Sequence, residues 1–154
     1  MASSTPNIIL LQVNGAERPI FERLAGGTVT PGDHLTLGTN GRVTALASAG
    51  AVSRKMFALE NPFAPNPAQT ALAQTYAEHD NVRYVYAQPG DLVYARLAAS
   101  QTIDVGDILV ASATGGCLAK VTIDATVLTG AVVGVAEEAV TTTGSTGRIK
   151  IRVL

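Results

Sequence analysis

Three times the chain writes Gly-Asp and runs at once into branched or aromatic residues: Pro31-Gly32-Asp33-His34-Leu35, Pro89-Gly90-Asp91-Leu92-Val93-Tyr94 and Val105-Gly106-Asp107-Ile108-Leu109-Val110. Pro or Val followed by Gly suits the central positions of a type II turn, where glycine supplies the positive φ. The residues after the aspartates favour extended backbone. The aspartates themselves are of the type that bonds nearby backbone amides in turns. A chain that turns sharply and leaves as a strand at three marked points is expected to be all-β.

The remaining pattern agrees. Strands are expected over 7–13, 34–37, 42–47, 54–60 and 82–87, with Val82, Tyr84 and Tyr86 on one face. The end of the chain alternates, placing Ile149, Ile151 and Val153 on one side and Arg148, Lys150 and Arg152 on the other. Residues 20–25 read as extended or weakly helical, and 68–77 are the only stretch with helix propensity, enough for at most one short helix. Three prolines within 61–67 preclude regular structure and make a stiff connection that carries Phe63. Residues 1–6 read as flexible, and the organisation expected is an N-terminal arm over 1–14 followed by one β domain over 15–154. The runs from Thr28 and Thr102 echo each other as turn, strand, Gly-containing tip and return, for which shared turn chemistry suffices.

A chain of 154 residues is long enough to bury a core without staples, and the single Cys117 excludes an intrachain disulfide framework and a cysteine-cluster zinc site. The start has no basic n-region, and Gln12 and Asn14 interrupt the apolar run after Asn7, so neither a secretion signal nor a membrane span is expected. A net charge of -1 gives no footprint for nucleic acid or an anionic membrane. Charged residues make up only 15% of the chain, against about 25% in a typical soluble domain. Either other chains cover part of the surface, or the domain has a small Ala- and Gly-rich core under a Thr-rich surface.

No catalytic, cofactor-binding or metal-ligating set emerges. His34 and His79 lie in different contexts, a strand and a polar turn, and Cys117 has no nearby base to activate it. Glu137 and Glu138 are neighbours in an extended run, so their side chains are expected on opposite faces. Asp33, Asp91 and Asp107 read as turn residues, and Gly26-Gly27 and Gly115-Gly116 lack the Lys and helix of a phosphate loop. The hairpin tips Thr39-Asn40-Gly41-Arg42 and Thr114-Gly115-Gly116-Cys117 carry no lysine, which argues against a lipoyl or biotinyl carrier. An enzyme is not expected.

Five segments in order carry a likeness: Met56-Phe57-Ala58-Leu59-Glu60-Asn61-Pro62-Phe63, then Gln88-Pro89-Gly90-Asp91-Leu92-Val93-Tyr94-Ala95, then Ile103-Asp104-Val105-Gly106-Asp107-Ile108-Leu109, then Val133-Gly134-Val135-Ala136-Glu137-Glu138-Ala139, and finally Gly147-Arg148-Ile149-Lys150-Ile151-Arg152-Val153. Together they resemble the head decoration, or cement, proteins of tailed bacteriophages, from about Gly32 to the end of the chain. The resemblance implies a small β-barrel or β-tulip domain, made in the host cytoplasm and carried on the outside of the virion. It implies a homotrimer at three-fold and quasi-three-fold positions that binds the major capsid protein of the expanded head and resists the pressure of packaged DNA. No cofactor, metal, nucleic-acid or membrane partner is implied. The candidate contacts are the arm 1–6, the loop with Phe63, and the face of Arg148, Lys150 and Arg152, which reads equally as a solvated face with edge-protecting charges. The alternative is a carbohydrate- or receptor-binding β module on a virion surface.

Overall fold

The computed structural model describes residues 5–63, 66–121 and 131–154. Thirteen strands are placed among them: β1 (Leu10–Gln12), β2 (Phe21–Leu24), β3 (His34–Leu37), β4 (Val43–Ala45), β5 (Met56–Ala58), β6 (Asn81–Tyr86), β7 (Leu92–Leu97), β8 (Thr102–Ile103), β9 (Ile108–Ala111), β10 (Leu118–Lys120), β11 (Val132–Ala136), β12 (Val140–Thr141) and β13 (Gly147–Val153). The helix propensity of 68–77 yields one 3-10 turn, Ala71–Ala73.

The fold is all-β. Strands β7, β10, β9, β11 and β13 follow one another, and β13 pairs back onto β7, closing a five-stranded barrel with β1 added along β7. Every pairing in it is antiparallel except β10 with β7, which meet in parallel at Leu118 and Leu97. A second sheet runs β2-β6-β5-β3-β4, and β8 and β12 form a small separate ladder. Closure leaves these barrel strands without a free edge, which is how small β domains avoid edge-to-edge association.

All three Gly-Asp turns share one construction. The amides of Thr30, Gln88 and Asp104 donate to Oδ2 of Asp33, Asp91 and Asp107, at 2.7, 2.9 and 2.8 Å. The aspartate amides donate back to the carbonyls of the same three residues. The glycine between holds φ of +87°, +94° or +92°, where a Cβ would be strained. Each carboxylate also takes a cation from elsewhere in the chain: Arg96 on Asp33, Arg18 on Asp91 and Lys120 on Asp107. Local chemistry therefore makes the turn, and the ion pair ties it to another part of the chain, a strand residue for Asp33 and Asp107 and the segment before β2 for Asp91.

Packing explains which faces are apolar. Ile149, Ile151 and Val153 of β13 and Val93, Ala95 and Leu97 of β7 belong to one buried cluster that reaches Phe57 of β5 and Val85 of β6. Met56 and Ala58 on the other face of β5, with Val82 and Tyr84 of β6, form a second cluster with Leu35, Val43 and Tyr76. The middle of the second sheet is thus covered on both sides, which alternation over 82–87 does not disclose. Within the stretch 1–14, expected to act as an arm, Ile9 is fully buried and Leu10–Gln12 pair with β7. The two echoing segments become hairpins in different sheets, with registers of Leu35 to Ala45 and Leu109 to Lys120.

Gly134 tests how tightly the barrel closes. A Cβ there would sit 2.6 Å from the carbonyl oxygen of Arg152 on the neighbouring strand. Overpacking of this kind costs typically 1–3 kcal/mol. Gly134→Ala is expected to lower stability by about 2 kcal/mol, read as a lower denaturant midpoint with an unchanged slope.

Candidate functional site

The residues with chemical potential are dispersed and mostly committed to structure. His34 is fully buried, stacks on Phe57 at 5.3 Å between ring centres, and has Ser53 Oγ 2.6 Å from its Nε2. Its Nδ1 has no hydrogen-bond partner among the described residues. Burial, with Lys55 nearby, pushes its pKa down to about 4, so it is neutral at pH 7. His79 is exposed, with its Nε2 3.7 Å from Glu78. Cys117 is fully buried, and that burial raises its thiol above the ordinary value. No group of three His, Cys, Asp or Glu side chains among the described residues is placed to hold a metal ion.

Glu137 and Glu138 correct an expectation. The chain bends at these two residues after β11 instead of staying extended, and both carboxylates reach the same face of β13. Glu137 meets Arg152 at 3.0 Å and Glu138 meets Lys150 at 3.4 Å. Arg152 also donates to Gln12 Oε1 and to the Gly90 carbonyl.

Arg148 likewise donates to the carbonyls of Pro31 and Leu72, at 2.7 and 2.8 Å. The cationic face of β13 is therefore largely held within the molecule. Nor do these charges protect an edge, because β13 lies between β7 and β11 and pairs with both.

The exposed apolar surface lies elsewhere. All four residues of β2 are exposed, and this strand forms one edge of the second sheet. Ile20 is 51% exposed, Phe21 41% and Leu24 44%, with Ile8 nearby lining the same groove as Ile20. Phe21 stacks on Tyr84 at 5.8 Å and meets Tyr86 edge-on at 5.3 Å. A cleft of about 620 Å³ opens beside Phe21 and Tyr86, lined also by Asn14, Arg18 and Gln88. An exposed edge with this much apolar area is the kind of surface proteins cover by association. Sequence reasoning missed it, because the run from Ile20 to Ala25 has no clean period of either two or 3.6 residues.

Phe63 stands out as well, at 73% exposed. The loop presenting it is anchored: Asn61 Oδ1 accepts from the Phe63 amide, Asn61 Nδ2 donates to the Thr75 carbonyl, and the buried Tyr76 hydroxyl reaches the Leu59 and Glu60 carbonyls. The aromatic thus follows directly on the anchored Asn61.

These features define a closed all-β domain with committed polar groups and an apolar edge. Neither a family model nor a curated protein sequence matches the chain. Among solved structures, the fold is similar to the head fiber gp8.5 N base of bacteriophage phi29, with a TM-score of 0.55 and 15% sequence identity, covering 90% of this chain and 95% of that one. At that identity the likeness is one of fold.

Proposed function

We propose that this protein is a structural component of a bacteriophage head, a decoration or cement protein that binds the outer surface of the expanded capsid as a trimer. The observation carrying this reading is the likeness over nearly the whole of both chains to the base of a phage head fiber. The ordered likeness from Met56 to Val153 to head decoration proteins supports it independently. So does the economy of the surface: little charge overall, and a β2 edge with Ile20, Phe21 and Leu24 exposed. In this reading β2 is covered in the assembly by sister subunits or by the shell. The loop with Phe63 adds contacts, as does the arm 1–6, whose first four residues lie outside those described, and three copies of each give long residence from modest individual affinities.

Mixing the purified protein with expanded, undecorated heads and with compact precursor shells tests the proposal. Binding to the first and not the second is expected; a stable monomer that ignores expanded heads refutes it. Ile20→Asp with Leu24→Asp is expected to weaken head binding by at least about tenfold, equivalent to 1.4 kcal/mol. Because both positions are exposed, the thermal midpoint is expected to stay near the parent's.

One observation favours a second reading. The cleft beside Phe21 and Tyr86, with the amides of Asn14 and Gln88 on its wall, has the stacking face and polar rim that suit a sugar ring. A glycan-array signal without head binding would make the protein a carbohydrate-binding module instead.

A further inference from the structure

Arg96 and Arg148 stand directly opposite each other on the outer faces of β7 and β13. Like charges in that cross-strand position repel. Among the described residues one carboxylate answers them: Asp33 Oδ1 accepts from Arg96 Nη1 at 2.8 Å. Arg148 has only the Pro31 and Leu72 carbonyls and the face of Tyr94, 5.8 Å away, and it forms no ion pair with a described carboxylate. Burial and the neighbouring Arg96 make the Arg148 charge costly, lowering its pKa from the usual arginine value. Among the described residues, two guanidiniums and one carboxylate leave a surplus of one positive charge in a half-buried place.

That place is a cleft of about 410 Å³ whose walls include Tyr94 and Thr30, Thr70 and Thr146 beside the two arginines. Arg96 Nη2 donates to Thr146 Oγ1 at 3.0 Å. Each guanidinium has five N–H donors and uses two in the bonds described, so donors remain.

We propose that this cleft receives a carboxylate side chain from a neighbouring protein subunit. A single negative charge balances the surplus, whereas a phosphate dianion would overshoot it. Guanidinium forks and threonine hydroxyls match the planar acceptor geometry of a carboxylate. A partner's side chain suits the site better than a free anion, because tethering supplies the effective concentration that a lone carboxylate lacks. That the subunit belongs to a phage head rests on the preceding reading; the charge chemistry of the cleft does not.

The first test is a titration with sodium acetate, matched in ionic strength with sodium chloride, following the arginine Nε–Hε resonances by NMR. Saturable shifts of Arg96 and Arg148 with acetate alone are expected; equal shifts with chloride overturn the site. Thr70→Glu places a carboxylate at the cleft wall without removing a helix cap, since Thr70 makes no side-chain cap bond. It is expected to abolish the acetate response and weaken head binding at least about tenfold, or 1.4 kcal/mol, while Thr70→Gln keeps both. An acetate response lost in Thr70→Glu with head binding unchanged overturns the partner-borne carboxylate in favour of a free anion. If even the parent fails to bind heads, the functional reading falls, and the acetate titration still decides the cleft.

Discussion

Asp91→Ala is expected to destabilise the protein by about 3 kcal/mol, since removing one member of a buried pair strands its partners. Asp91 is fully buried and its carboxylate accepts four hydrogen bonds: from the amides of Asn14 and Gln88, and from Arg18 through Nε and Nη2. Burial alone would raise this carboxyl, but Arg18 and the two amides outweigh it and hold it below the ordinary range. Alanine leaves two amides unanswered and frees the 14–18 segment from the start of β7. Arg18 keeps the carbonyls of Asn14 and Ala16, which bounds the loss. For a domain of this length the thermal midpoint should fall by roughly 10 °C. Asp91→Asn is expected to recover less than half, because its NH₂ group meets donors. Midpoints equal to the parent's in both variants would refute the account.

The second large effect is a loss of stability on mild acidification, carried by His34. Its folded pKa of about 4 lies below the unfolded value of 6.5. The unfolded chain therefore binds the proton first, and stability falls as pH drops from 6.5 toward 4. The full effect is about 3 kcal/mol, most of it lost by pH 4.5. Asp33 acts oppositely, since burial raises its carboxyl despite the Thr30 amide and Arg96. That contribution sets in as pH falls through the raised folded value, above the ordinary carboxylate value, so it partly offsets the His34 loss in the lower part of the same window. Denaturant unfolding at pH 7 and pH 4.5 measures the difference, and His34→Gln should be nearly flat over that interval. A parent protein equally stable at both values would show that His34 is protonated without penalty.

The contrast between these residues shows what was legible. Both were visible in the sequence, but only Asp91 announced its role there. A Gly-Asp turn is written within four residues, so its geometry follows from local preference. The partner on its second oxygen does not: Arg18 is 73 positions away and Arg96 is 63 positions from Asp33. His34 sits at the start of β3 in the sequence pattern, yet its burial against Phe57 and Ser53 comes from strands and loops that the pattern does not pair. The same limit applies to β13. Its alternation gave the inward face correctly, but that the strand is interior to a closed barrel depends on pairing with β7 and β11. The bend at Glu137 and Glu138 follows from the need to leave one strand of that barrel, and no local signal marks it.

The sequence by itself determined the all-β class, the three Gly-Asp turns and the inward face of β13, because periodicity and turn chemistry act over a few residues. It also carried the ordered likeness to phage head proteins. Only the tertiary structure decided that the barrel closes, that the cations of β13 are largely held inside the molecule, and that β2 is left exposed. It alone set Arg96 opposite Arg148, with Asp33 paired to Arg96 and not to Arg148. Those are consequences of register between strands far apart in the chain, and register is settled by packing the whole core at once.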